Sequence, residues 1–405
     1  MILVNLFLAT VLSLGSNAAH NRVVLQRAIN AASQDGGGKV VIPAGEWLCG
    51  SVELKSGVEL HLEKGAVLKG SRIQSDYNAD DIFPENWTNS VEEWSGGHLI
   101  YAYRAENIAI TGSGVIDGNG SAFFAAEPEE DSRFPWYKYG LKLHPIDRRW
   151  YRPGFMVSIL QSERIRISGV TMKNTPCWTC HLRCCEDVTI EGVTIDADRT
   201  IANSDGFSID CSRSVLVKDC TVKTGDDAFA IRAACRHHAL TNRCEDIRIE
   251  NCDIWSCCYG FRFGIGNGVI RNVHIDNCRI HEAAHGFGFT PHGKPDAKKV
   301  DFFDFVIRRC TVEECDRPLD MWTTIGSRCE NILFEDCHFK SLEPSLISCR
   351  WNVCPKNFVF RGCRRERIER LRVRYNQEWG RRENRSSTDF IDVRNGVEGA
   401  VVVEK

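Results

Sequence analysis

Two short strand patterns recur along this chain in step, and nothing else in the sequence constrains the fold as strongly. The first reads Ile167-Ser168-Gly169, Ile190-Glu191-Gly192, Val217-Lys218-Asp219-Cys220, Ile249-Glu250-Asn251-Cys252, Ile275-Asp276-Asn277-Cys278, Ile307-Arg308-Arg309-Cys310 and Phe334-Glu335-Asp336-Cys337, with a degenerate copy ending at Cys363. Its intervals from residue 169 are 23, 28, 32, 26, 32, 27 and 26 residues. The second reads Gly206-Phe207-Ser208-Ile209, Ala228-Phe229-Ala230-Ile231, Gly260-Phe261-Arg262-Phe263, Gly286-Phe287-Gly288-Phe289 and Pro318-Leu319-Asp320-Met321, at intervals of 22, 32, 26 and 32. Two series advancing together at such a period specify stacked repeats. With short strands and no interleaved helices, the simplest stack is a parallel β-helix, each coil ~4.8 Å above the last. This predicts an all-β, single-domain solenoid over residues 1–405, against the two or three domains that the length alone would favour.

The rest of the chain fits around that core. Val24, Leu25, Ala28, Ile29 and Ala32 share one helical face after Asn21, a plausible N-cap, so a short capping helix is expected over about 20–35, stopped by Gly36-Gly37-Gly38. Six of the 20 cysteines (220, 252, 278, 310, 337 and 363) fall on the repeat, where they are expected to stack inward as small apolar residues. Cys177-x-x-Cys180 with Cys184-Cys185 does not match a recognised zinc spacing. About 121–152 break the repeat with an aromatic-rich insertion (Phe134-Pro135-Trp136-Tyr137-Lys138-Tyr139, Arg148-Arg149-Trp150-Tyr151), expected to form a wall over a cleft. About 361–405 are expected to be irregular coils, and residues 361–385 hold ten Arg against four Glu. The net charge of −3 and those interleaved Glu argue against a nucleic-acid partner. No apolar run reaches the ~18 residues a membrane span needs. Ile2 to Leu14 is apolar and Ser16-Asn17-Ala18 resembles a cleavage site, but residues 1–19 carry no Lys or Arg and Asn5 interrupts the run. The reading leans towards a first strand and an intracellular chain, with an exported form left open. Oligomeric state is not readable.

The chemistry gathers on three acids. Asn203-Ser204-Asp205 and Gly225-Asp226-Asp227 each stand just before a strand of the second series. Asp205 and Asp226 are 21 residues apart, about one coil, so they are expected level with each other, with Asp227 beside them. Gly206 and Gly225 suit tight, left-handed backbone there. A single Asp in such a turn most often satisfies backbone. Three in one patch point to function, because close carboxyls push their pKa values apart and leave one acid protonated beside an ionised base. Hydrolysis of a glycosidic bond needs that combination.

These residues resemble the Asn-x-Asp and Gly-Asp-Asp motifs of glycoside hydrolase family 28, the polygalacturonase family. Gly114-Val115-Ile116-Asp117-Gly118-Asn119-Gly120, Arg152-Pro153 and Thr175-Pro176-Cys177-Trp178 also match, so the resemblance covers roughly residues 20 to 340. It implies a right-handed parallel β-helix and inverting hydrolysis of a pectin-type polysaccharide. It gives Asp226 as general acid and Asp205 with Asp227 as the water-activating base, and calls for no metal or cofactor. Two of the family's signatures differ here. Its His-Gly reads Tyr259-Gly260, and the Arg-Ile-Lys that grips a galacturonate carboxylate reads Gly288-Phe289-Thr290, so both cations are gone. Arg232 and Arg262, on outward positions of preceding coils, are candidates to replace them; alternatively the ring beside the acids is neutral. Asn203, Tyr259, Trp322 and His181 are further candidates for sugar contacts, with Asp320, His285 and His292 nearby. A polysaccharide lyase using a cation and an arginine base, and a non-catalytic carbohydrate-binding solenoid, are the alternatives.

Overall fold

The computed structural model describes residues 9–78, 97–128, 141–143, 152–201, 203–234, 242–290, 300–323, 327–349, 355–368, 391–394 and 401–404. Its strands form three long parallel sheets of 13, 11 and 11 strands. Successive strands of the chain go to different sheets, and each pairs with its counterpart one coil away, so the chain winds as a right-handed parallel β-helix. The sequence intervals reappear as hydrogen-bond register. Phe207 pairs with Phe229, Phe229 with Phe261, Phe261 with Phe287 and Phe287 with Leu319. Those side chains point inward and are buried. Their rings stack along the axis, Phe229 on Phe261 at 4.9 Å and Phe261 on Phe287 at 5.3 Å. Each such pair adds about 0.5–1.5 kcal/mol beyond the area it buries.

The cysteine repeat is a turn. Asp219, Asn251, Asn277, Arg309 and Asp336 all have φ between 51° and 55°, the left-handed region that short polar side chains tolerate best. Their amides ladder between coils: Asn277 donates to Asn251 at 2.9 Å, and Asn251 to Asp219 at 3.0 Å. That turn drives the following residue inward, so Cys220, Cys252, Cys278, Cys310 and Cys337 are buried and Cys363 is half-buried against the core. The neighbouring thiol and then burial lift Cys220 and Cys363, and burial first lifts Cys278, far above the ordinary thiol range, which keeps these three protonated. Every cysteine with a described side chain is a free thiol, Cys177, Cys180, Cys184 and Cys185 included.

The helix spans Ala18–Gln34 and covers the first coils with Leu25 and Ile29. Its N-cap is Asn17, whose side chain accepts from the His20 amide, and not Asn21. Asn21 is buried instead, accepting from Gly15 N and donating to Leu48 O. Within the aromatic insertion, Phe124–Pro128 pairs antiparallel with Leu141–Leu143; its Phe134–Tyr139 and Arg148–Tyr151 clusters lie outside the described residues. Lys356–Arg361 and Arg364–Arg367 continue the coils beyond residue 355, and residues 369–390 are likewise outside the description.

Candidate active site

Seven consecutive strands of one 11-stranded sheet carry the candidate residues: β1 Phe155–Leu160, β2 Trp178–Arg183, β3 Phe207–Asp210, β4 Phe229–Ala233, β5 Tyr259–Gly266, β6 His285–Thr290 and β7 Arg317–Thr323. Side chains alternate along a strand. With Phe207, Phe229, Phe261 and Phe287 inward, the residue after each faces outward. The residue two before each, at the strand's start, breaks the alternation and lies on the same outward side, as its contacts show: Arg232 reaches Asp205, Arg262 reaches Asp227, Tyr259 reaches Asp320 and its ring stacks on His285. Asp205, Asp227, Tyr259 and His285 therefore stand in one outward row, and Ser208, Ala230, Arg262, Gly288 and Asp320 in the next.

The register changes one expectation. The 21-residue spacing predicts Asp205 level with Asp226. The coil from Phe207 to Phe229 is 22 residues, so Asp205 is level with Asp227, and the Gly206 amide donates to Asp227 O at 2.9 Å. Asp226 sits one position earlier, half-buried, its Oδ1 accepting the Asp227 amide at 3.0 Å. Gly206 and Gly225 are not left-handed. A Cβ on either would come within 2.4 Å of Ala228 O or Ser204 Oγ, so close approach is what demands glycine there. The left-handed residue is Asn203, with φ 59°, and its Oδ1 accepts from Arg152 at 3.1 Å.

Asp205 and Asp227 are only 2% and 1% exposed, and each meets an arginine from a later strand. Arg232 donates to Asp205 Oδ2 at 3.3 Å, and Arg262 donates to Asp227 Oδ2 at 3.0 Å. The Tyr259 amide reaches Asp227 Oδ1 at 3.3 Å. Burial opposes the charge on Arg262, but Asp227, with Cys258 and Tyr259, more than offsets it and holds the guanidinium protonated. The two arginines predicted as substrate ligands are thus ion-paired within the protein. Asp226, Asp227 and Cys258 bring ligand atoms within 4.8 Å of one another. The Cys258 thiol is pushed well up by burial and then by the two aspartates. Two carboxylates beside a protonated thiol are a poorly matched donor set for one cation, since metals bind the thiolate.

Tyr259 lies across the next coil. Its hydroxyl donates to Asp320 Oδ2 at 3.2 Å, its ring stacks on His285 at 4.7 Å, and the Arg262 guanidinium sits 5.7 Å from the ring centre. Burial and then Asp320 push the phenol well above its ordinary range, so it remains a donor. The ring occupies the space over Gly288, where a Cβ would be 2.4 Å from Tyr259 Cε1. Gly288 is in register between Arg262 and Asp320.

His181 faces outward on β2, stacked on Phe155 at 4.0 Å and paired in register with Ser158 and Ser208. Burial, with Arg183 and Arg232, drives its pKa well below the usual imidazole value, so it is neutral. Trp322 has its place on β7 opposite Ser348; its side chain, and all of His292, lie outside the described residues. Sequence reasoning missed two ion pairs on this sheet. Arg183 binds Asp210 at 3.0 Å, and Arg317 binds Glu343. The first was findable, because Arg183, Asp210 and Arg232 are register partners of alternating charge.

Comparison with known proteins gives a consistent picture. A probable polygalacturonase of Vitis vinifera is 29% identical over 225 residues, covering 54% of this chain and 42% of that protein. A probable exopolygalacturonase B of Aspergillus terreus is 29% identical over 160 residues, covering 36% of this chain and 34% of the other. These matches span less than half of either relative's length. An exopolygalacturonase structure from Thermotoga maritima superposes with a TM-score of 0.67 at 19% identity, over 94% of this chain and 87% of that one. An endo-xylogalacturonan hydrolase from Aspergillus tubingensis does so with a TM-score of 0.66 at 15% identity, over 98% and 99%. At such identities the structural likeness speaks for the fold. The model of glycosyl hydrolases family 28 matches residues 35–288, which hold all three acids, and this chain belongs to that family.

Proposed function

We propose that this protein hydrolyses glycosidic bonds of a pectin-type or related polysaccharide with inversion at the anomeric carbon. Asp226 gives its proton to the leaving oxygen. A water bonds to the anomeric carbon from the opposite face and passes its proton to the carboxylates of Asp205 and Asp227. What supports the reading is that Asp205 stands level with Asp227 on the adjacent coil, that the ligand atoms of Asp226 and Asp227 lie within 4.8 Å of each other, and that Arg232 and Arg262 hold the two base candidates while the half-buried Asp226 is the most accessible of the three. Asp227 balances its charge against a guanidinium, which favours Asp226 as the proton donor. Asn203, His181, Tyr259 and Trp322 are assigned to the sugar, and Arg232 and Arg262 to the walls of the same subsite. The relatives named as polygalacturonases act on pectic polymers, and this supports the substrate class.

A lyase needs an uncharged base near the sugar. Arg262 is held protonated by Asp227, and Arg232 is engaged with Asp205, which weighs against either in that role. The test is release of reducing ends from a panel of plant polysaccharides by wild type and Asp226→Asn. The proposal expects release by wild type alone and no product absorbing in the ultraviolet. Equal rates for the two proteins end the assignment.

A further inference from the structure

The charges around the proposed site are arranged against binding another anion. Four arginines with described side chains project from this sheet, and each has a carboxylate of the protein: Arg183 with Asp210 at 3.0 Å, Arg232 with Asp205 at 3.3 Å, Arg262 with Asp227 at 3.0 Å, and Arg317 with Glu343. Arg152, next to Asn203, directs its terminal nitrogens at Pro176 O and Asn203 Oδ1. Two more acids, Asp226 and Asp320, stand in the same group. Asp320 accepts from Tyr259 and lies 3.7 Å from Arg317, which already holds Glu343. The imidazole of His181 adds no charge. The outward position in register between Arg262 and Asp320 is Gly288, and the Tyr259 ring occupies the space a side chain there would need.

A uronate ring placed here would bring a carboxylate to a cluster whose arginines each already hold a carboxylate of the protein, between Arg262, bound to Asp227, on one coil and the carboxylate of Asp320 on the next. Like charges at an enclosed site are a strong rejecting element, and a carboxylate withdrawn from water needs a cationic partner. Sugar hydroxyls face no such conflict: the Asp320 carboxylate is an acceptor for them, and the partly exposed Arg262 guanidinium is near. We infer that the sugar ring seated against Tyr259 and Asp320 is neutral, bound through its hydroxyls, and that Asp320 is the residue that excludes uronates there. This inference rests on the hydrolase reading above for the location of the ring.

The test uses a matched pair of ligands, an oligogalacturonate and its carboxyl-reduced counterpart, which share linkage and stereochemistry and differ in charge. Calorimetric titration of full-length Asp226→Asn reads binding with the proposed acid disabled, so its result is separate from whether the wild type hydrolyses anything. The neutral oligosaccharide is expected to bind ~10-fold or more tightly than the acidic one at low salt. In Asp226→Asn/Asp320→Asn, the acidic ligand is expected to gain ~3-fold or more relative to the neutral one. Equal or tighter binding of the oligogalacturonate, no gain on removing the Asp320 charge, or binding of neither ligand would each overturn the inference. Asn at 320 keeps an oxygen for the Tyr259 hydroxyl, and the ratio measured without the Asp320 change stands whether or not the double variant folds.

Discussion

Gly288→Ala is a small substitution with a large expected effect. Gly288 is not among the glycines with left-handed backbone, so alanine carries no conformational penalty there, and the whole effect comes from space. The added Cβ would lie 2.4 Å from Tyr259 Cε1 and 2.5 Å from Cδ1, so the ring has to retreat by about 1 Å to restore ordinary contact. It cannot do so and keep both its 3.2 Å hydrogen bond to Asp320 and its 4.7 Å stack on His285. A hydrogen bond to a charged group contributes about 1.5–3 kcal/mol and an aromatic pair about 0.5–1.5 kcal/mol. Losing most of both predicts destabilisation of about 2–4 kcal/mol. Urea unfolding with linear extrapolation measures it, provided the slope is unchanged. In a Tyr259→Ala background the clash is absent, so adding Gly288→Ala should cost less than about 0.5 kcal/mol, a non-additivity that residues in contact show. Destabilisation of the single variant by under 0.5 kcal/mol, or full additivity of the two changes, would refute the packing argument.

Other expected outcomes are as direct. Asp226→Asn should lower sugar release ~100- to 10,000-fold with a circular dichroism spectrum like wild type, since it removes the proposed proton donor from a half-buried position. Arg262→Gln leaves Asp227 buried without its guanidinium and should cost about 3–5 kcal/mol, less whatever the 19% exposure of the Arg262 side chain returns through solvent, read in the same unfolding assay. Burial, opposed by a bond to Phe155 O, lowers the pKa of His98 from 6.5 to about 4, and His181 is lowered by burial together with Arg183, Arg232 and His98. Below pH 6.5 the unfolded chain takes up protons that these native imidazoles refuse. Stability should therefore be full above pH 6.5 and fall towards pH 4, by up to ~1.4 kcal/mol per pH unit for each histidine; His98→Gln should flatten that slope. The buried thiols of Cys220 and Cys278, raised above the ordinary range, should resist alkylation in the native protein at pH 8 and react once it is unfolded.

The fold was legible because a β-helix writes its coil lengths into the sequence. The Phe207, Phe229, Phe261 and Phe287 intervals are the hydrogen-bond register, and the Asn251-Cys252 type of dipeptide is a left-handed turn followed by an inward residue. The three acids were legible by the same route, although an offset of one residue put Asp226 where Asp227 stands. What was hidden depends on side chains crossing between coils. Arg262 looked free to take a substrate carboxylate, yet a guanidinium reaches back to the preceding coil and finds Asp227. Tyr259 over Gly288 is a packing relation between positions 29 residues apart, and composition carries no trace of it. The N-cap shift from Asn21 to Asn17 has a similar cause, since Asn21 is drawn into the core by Leu48 O.

The most direct measurement follows the anomeric protons of newly released sugar by time-resolved nuclear magnetic resonance as the wild-type protein acts on its preferred polysaccharide. Hydrolysis driven by Asp226 with a water activated at Asp205 and Asp227 predicts that the first product seen has the configuration opposite to the bond cleaved, before mutarotation mixes the forms. A first product that keeps the original configuration, or one carrying a double bond, would contradict it.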